Sequence, residues 1–317
     1  MVGEGSLLTL RVEDISVHKG MTVNQLILQL AKAGGFSAKH LADAVDIVEA
    51  TVRDEECTFF LAFPACIVAT GVRGLIADMI GKGLVDVVIT TGGTFDHDLA
   101  RALGGAYYHG SFHVDDVELH KLRIQRLGNI FIPVDSYGPL IEKGVKPVLD
   151  ELCKVKLKYS CRELAEEFGR RLTDEGSILR QAAKKGVPIY SPGLLDSAFG
   201  TQLTIHSQFS KLELDLIKDE KELLNIVYDS KRIGALILGG GISKHHTLWF
   251  SQFKGGLDYA VYITTATEYD GSLSGARTRE AISWGKIKGK ARQVTVEGDA
   301  TIIFPIIVAS LYERLGL

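Results

Sequence analysis

The sequence predicts an α/β protein, a single doubly wound domain whose mostly parallel sheet carries helices on both faces. Two observations predict it. Continuous apolar runs of strand length, such as Thr58-Phe59-Phe60-Leu61-Ala62-Phe63, recur along the chain, the pattern of strands covered on both faces. Amphipathic segments of helical length separate them, and that alternation means a parallel sheet wrapped on two sides. Glycine is abundant at 34 residues against 7 prolines, which suits many tight strand-to-helix turns.

Residues 1–20 read as a short arm with a strand-like Leu7-Leu8-Thr9-Leu10, and 21–317 as the one α/β domain. Thr22 starts a first helix through Leu26, Leu28, Leu30 and Ala31, which Gly34-Gly35 ends; Ser37 is the expected cap of a second helix running towards Val52. The 58–63 strand follows, then a helix over 71–82, a strand over 85–90, and a tight turn Thr91-Gly92-Gly93-Thr94 into another helix. Further strands are expected at 130–132, 187–190, 235–238, 259–263 and 293–296. Helices are expected at 138–154, 161–172, 176–185, 217–229 and 299–313. No repeat, low-complexity tract or proline-rich linker divides the chain.

With 317 residues, 46% of them hydrophobic, the chain can bury a large core. Its 36 basic and 39 acidic residues are well mixed and leave a formal charge of -3, so there is no electrostatic footprint for nucleic acid. Cys57, Cys66, Cys153 and Cys161 show no CxxC spacing, which fits reduced thiols in a cytoplasmic protein. There is no basic-then-apolar signal sequence, and no apolar run reaches the ~20 residues that span a bilayer. A soluble cytoplasmic enzyme is the expectation.

In open α/β sheets, ligands sit in the loops at the carboxyl ends of the strands. Thr90-Thr91-Gly92-Gly93-Thr94 and Leu238-Gly239-Gly240-Gly241 both lie between a strand and a helix, where backbone amides can face a pyrophosphate. Neither is a full G-x-G-x-x-G fingerprint, and each alone reads better as a tight structural turn. Two in one sheet, with Thr265-Ala266 and Asp299-Ala300 after further strands, point to a dinucleotide. His245-His246 invites a metal, but adjacent residues on a helix face different ways and no third ligand is near in sequence; no metal is expected.

The most unusual stretch is Asp270-Gly271-Ser272-Leu273-Ser274-Gly275-Ala276 followed by Glu280-Ala281-Ile282-Ser283-Trp284-Gly285-Lys286-Ile287. Read alone, Lys286 is either a solvated lysine of a basic turn, with Lys288 and Lys290 after it, or an amine nucleophile. Desolvation against an aromatic wall such as Trp284 favours the neutral form that a nucleophilic amine needs. The run from Glu268 to Ile287 resembles the signature of the deoxyhypusine synthase family, E-[FY]-D-G-S-x-S-G-A and then E-A-[VI]-S-W-G-K-I, and the compact chain is similar to archaeal members.

The resemblance implies a Rossmann-like NAD site contacted by Ala65, Cys66, Ile67, Val68, Ala69, Thr90, Thr91, Gly92, Asp196, Gly241, Thr265, Ala266, Asp299 and Ala300. It implies Lys286 as the covalent nucleophile and His246 as the base that takes an ammonium proton, with His245 in packing. A substrate site of Asp96, His97, His246, Asp270, Gly271, Ser272, Glu280, Trp284 and Lys286 follows from it. The implied reaction oxidises spermidine beside its secondary amine with NAD, transfers the butylamine fragment to Lys286 as an imine, and passes it to one lysine of the translation factor 5A precursor, where it is reduced. Homotetramers with sites at subunit contacts are implied too.

This sequence departs from the family at the polyamine positions. Leu273 and Thr201 stand where eukaryotic members carry acids, and Asp96-His97 replaces a Glu-Glu pair with one extra residue in the loop. A buried ammonium without a carboxylate is costly, so agmatine competes with spermidine as the donor. Homospermidine synthase-like transfer to a free diamine, an NAD-binding regulatory protein and an ordinary NAD dehydrogenase are the competing functions. The missing G-x-G-x-x-G disfavours the last, and retention of Lys286, Trp284, His246 and Glu280 together disfavours the regulator.

Overall fold

The computed structural model describes residues 10–317; the expected strand at 7–10 falls, except for Leu10, outside the described residues, and Leu10 itself is in no strand. The chain order is α1 (Val23–Ala33), α2 (Phe36–Arg53), β1 (Cys57–Ala62), a 3-10 turn (Ala65–Ala69), α3 (Val72–Gly81), β2 (Val87–Ile89) and α4 (Gly93–Ala102). An excursion follows: β3 (Tyr108–His109), α5 (Asp116–Lys121), β4 (Ile124–Leu127) and β5 (Ile130–Pro133). Then come α6 (Gly138–Val155), β6 (Lys158–Tyr159), α7 (Cys161–Arg171), α8 (Ile178–Lys185), β7 (Ile189–Tyr190), α9 (Ala198–Ser207), β8 (Glu213–Leu214) and α10 (Leu216–Asp229). The chain closes with β9 (Arg232–Leu238), α11 (Gly241–Ser251), β10 (Leu257–Thr264), α12 (Thr278–Ser283), β11 (Ile287–Glu297) and α13 (Ala300–Leu315).

Six strands form one parallel sheet in the order β11-β10-β9-β1-β2-β7. Because side chains alternate across a strand, the continuous apolar run of β1 serves both faces. Phe59 and Leu61 join one core with α1, α2, α3, α8 and α13, whereas Phe60 and Ala62 join a second with α10, α11 and α12. β9 divides in the same way, Leu236 and Leu238 to the first core and Ala235 and Ile237 to the second.

Two expectations change. The 130–132 strand exists but belongs to a separate antiparallel sheet, β3-β5-β4, not to the parallel one. Ser37 is not the cap: α2 begins two residues earlier than that cap implies, behind Gly35, with Phe36 at φ 43. The capping at α1 agrees with the reading, Thr22 and Gln25 forming a reciprocal capping box.

Candidate functional site

All six strands run the same way, so every loop after a strand lies at one edge of the sheet. Ala65–Ala69 follows β1, Thr90-Thr91-Gly92 follows β2, Asp196 follows β7, Gly241 opens α11 after β9, Thr265-Ala266 follows β10, and Asp299-Ala300 follows β11. The sheet therefore gathers fourteen positions that are scattered over the sequence. Within them, Ile67, Val68 and Ala69 bury their side chains, leaving Ala65 and Cys66 nearer the surface. Thr91 Oγ1 accepts from Ala65 N–H at 2.9 Å, tying the first two loops. Asp196 is exposed, and Asp299 spends one oxygen on Thr301 N–H at the head of α13. Gly241 is at φ 68 with nothing within 4 Å of where a Cβ would stand, so the N-terminus of α11 is open to a ligand.

Lys286 lies elsewhere, in a cavity of about 280 Å³ between α11 and α12. Helix α12 ends on Trp284, Gly285 takes φ 67, and Lys286 N–H returns to Ala281 O at 2.9 Å. Such a left-handed glycine closes a helix where another residue would be strained, and here it turns Lys286 inward. Lys286 is 8% exposed although its neighbours Lys288 and Lys290 meet solvent more freely. Its Nζ lies 5.3 Å from the Trp284 ring centroid and 5.7 Å from that of Trp249. Two indoles thus flank the amine. Trp249 was not read from the sequence; its place four residues after His245, on one face of α11, was the available signal.

The histidines exchange places with their expected parts. His245 lines the cavity, stacks on Trp249 with centroids 5.8 Å apart, and has its pKa lowered by burial first and then by the charge of Lys286. His246 is not in that lining. It turns away to Phe250, 4.7 Å between centroids, and to Glu220 at 3.4 Å, and burial holds it down to about 4. Successive side chains on a helix point about 100° apart, so only one of the pair can face Lys286.

The remaining lining includes Glu280, Leu273, Arg277, Tyr262 and Lys244. Lys244 is fully buried, donates to Ala276 O at 2.7 Å and lies 4.0 Å from the Tyr262 ring centroid; burial lowers its pKa to about 8. Asp270 is exposed and binds its own loop through Ser272 N–H at 2.7 Å, with Gly271 and Ser272 beside it, none of the three in the lining. Gly240 lets this loop pack on the α11 turn, since a Cβ there would meet Ser274 Cα at 2.5 Å.

Asp96 and His97 are also away from the cavity. Asp96 is 1% exposed and accepts from Ala198 N–H at 2.9 Å, Phe199 N–H at 2.7 Å and Tyr137 Oη at 2.8 Å. Burial raises its pKa against those three hydrogen bonds. With its oxygens taken by the head of α9, it has no surface to offer an ammonium. His97 is held at 2.8 Å by Tyr107 Oη, and burial lowers it to about 4. Both were expected in the substrate site, and the head of α9 with Tyr107 and Tyr137 closes over them instead.

A model of the deoxyhypusine synthase family matches residues 25–311. A protein of Sulfolobus acidocaldarius named "Probable deoxyhypusine synthase" is 51% identical over 305 residues, covering 96% of this chain and 98% of its own. One of the same name from Ignicoccus hospitalis is 52% identical over 309 residues, covering 96% of each chain. A crystal structure from Entamoeba histolytica described under the same family name has a TM-score of 0.64 at 20% identity, over 95% of this chain and 97% of that one. That last likeness concerns the fold.

Proposed function

This chain belongs to the deoxyhypusine synthase family, and we propose that it is an NAD-dependent aminobutyltransferase that passes the aminobutyl group of spermidine, through Lys286, to one lysine of the translation factor 5A precursor in the cytoplasm. The observation that carries the reading is a buried amine between two indoles with a low-pKa imidazole on the same cavity wall. Among the described residues no helix is long and apolar enough to cross a membrane.

The residues at the carboxyl edge suit a dinucleotide. Asp196 has a free carboxylate for a ribose hydroxyl, and the open α11 N-terminus at Gly241 offers amides and a positive dipole end to a pyrophosphate. Ile67 to Ala69 can contribute only backbone. NAD would supply the hydride acceptor and donor that let a C–N bond be made and broken without net redox change.

Within the cavity, His245 stays neutral near neutral pH and takes the proton of the substrate ammonium. Lys286, as the neutral amine, then attacks the substrate imine carbon; its two protons pass to the departing nitrogen, the C–N bond to the diamine breaks, and the fragment stays on Nζ as an imine. A primary amine is required because only it exchanges imines reversibly. Trp249 and Trp284 exclude water and pack along the methylenes. Glu280 holds the far ammonium.

Leu273 lines the cavity and Asp96 is buried elsewhere, so among the described residues Glu280 is the one carboxylate in the lining. That favours comparing agmatine with spermidine as donor. Because Lys286 lies between α11 and α12 while the dinucleotide loops crowd one edge of the sheet, we expect a homotetramer in which a neighbouring chain brings its loops to this amine. The exposed Trp249 and Trp284 in the lining, with the exposed Phe253 against Trp249, support such a contact.

The test is borohydride trapping after incubation with NAD and each labelled amine, followed by mass spectrometry. An aminobutyl adduct on Lys286, absent from Lys286→Arg, is expected. No adduct in the wild type, or an adduct on Lys244, would overturn the assignment. Label passing only to putrescine and never to the precursor protein would point to homospermidine synthesis.

A further inference from the structure

We propose that Asp96 and His97, with Tyr107, Tyr137 and Arg101, form a buried positioning chain that sets the spacing of three dinucleotide loops and does not touch the polyamine. The proposal rests on the NAD reading above and concerns what this chain's own residues do towards that group.

The chain can be followed contact by contact. Arg101, at the end of α4, donates through Nη1 to Thr70 O at 2.7 Å and Val68 O at 3.2 Å, the closing carbonyls of the 3-10 turn after β1. Its guanidinium carbon lies 6.0 Å from the Tyr107 ring centroid. Tyr107 shares the 2.8 Å hydrogen bond with His97 Nδ1, and their rings meet edge to face at 5.7 Å. The other side of His97 packs on Tyr137, 5.3 Å between centroids. Tyr137 donates to Asp96, which accepts the first two amides of α9, immediately after Asp196-Ser197.

The two ends of this chain fall on the loops after β1 and β7, and its middle on α4, which opens directly after the loop that follows β2. A neighbouring contact ties the last two: a Cβ on Gly92 would lie 2.7 Å from Leu194 O and 2.8 Å from Ser197 Cβ. Tyr107 and Tyr137 bracket the β3-α5-β4-β5 excursion, so the root of that excursion is the wedge between the loops. His97 is neutral, its pKa held at about 4 by burial, so this link keeps one protonation state near neutral pH. A carboxylate that spends its oxygens on three donors positions a helix; the same carboxylate facing solvent would recognise a cation. The structure shows the first arrangement.

The experiment measures NAD affinity by titration calorimetry on the full chain, and steady-state KM for NAD and for spermidine, in wild type, Tyr107→Phe, His97→Gln and the double variant. Tyr107→Phe removes only the hydroxyl that bonds His97 and leaves the ring to pack. We expect the NAD Kd to rise about tenfold in each single variant, the double variant to be no weaker than the weaker single, and the spermidine KM to stay within twofold. Arg101→Lys, which keeps the charge but not the two-carbonyl reach, is expected to weaken NAD likewise and serves if either aromatic variant misfolds. A raised spermidine KM with unchanged NAD Kd would overturn the proposal and return Asp96-His97 to the polyamine site; unchanged constants throughout would overturn it too. Wild type that binds no NAD would overturn the functional reading itself, a result distinct from either.

Discussion

Replacing His245 by Gln, and separately His246 by Gln, separates two neighbours that the sequence alone does not distinguish. His245 faces Lys286 across the cavity, while His246 packs on Phe250 and Glu220. If His245 takes the ammonium proton, its loss removes general-base catalysis, typically 10²–10⁴-fold, about 3–5 kcal/mol of barrier. His246→Gln gives up the packing of a neutral ring against Phe250 and its approach to Glu220, worth about 1 kcal/mol of stability and little rate. The assay is single-turnover formation of the borohydride-trapped Lys286 adduct across pH. In the wild type, the rate is expected to rise with pH through a midpoint below the ordinary imidazole value of about 6.5, because burial and the charge of Lys286 both favour the neutral ring. His245→Gln should be slow and lose that limb; His246→Gln should keep it. A His246 variant slower than the His245 variant would refute this assignment of roles.

Three further outcomes test the physics around the site. Lys244 has a folded pKa of about 8, below its ordinary 10.5, so the unfolded chain binds more protons between those values. Wild-type stability should therefore gain about 3 kcal/mol as pH rises through that window. Lys244→Met should lack that gain in chemical denaturation. Phe36 is fully exposed at φ 43, so Phe36→Gly relieves left-handed strain at no cost in burial, and thermal melts should show a gain of about 1 kcal/mol. Asp98, with no exposure, accepts from Arg73 Nε at 2.6 Å, Ser177 Oγ at 2.7 Å, Ile178 N–H at 3.1 Å and Leu179 N–H at 2.9 Å. Asp98→Ala should cost about 3–5 kcal/mol in urea unfolding, because it leaves a buried guanidinium short of a partner and three donors unmet.

The sequence by itself determined the α/β alternation, the strands of the parallel sheet and the loops that follow them. Those features are local: an apolar run of the right length needs two covered faces wherever it sits, and Gly-rich turns mark where each strand ends. Lys286 and Trp284 were legible for the same reason, as neighbours along one turn of chain. Tertiary structure alone decided what crosses between elements. The 130–132 strand had the right residues for the parallel sheet, but the turn after Arg126-Leu127 pairs it antiparallel to β4. Trp249 reaches Lys286 only because α11 and α12 border the same cavity. Which of His245 and His246 faces the amine depends on the rotation of α11 about its axis, set by Leu248 and Phe250 entering the core. Asp96 looks like a substrate carboxylate until α9 arrives from a hundred residues downstream and places two amides on it. Spacing along the chain carries no record of that approach, since burial and hydrogen-bond partners are properties of the packed whole.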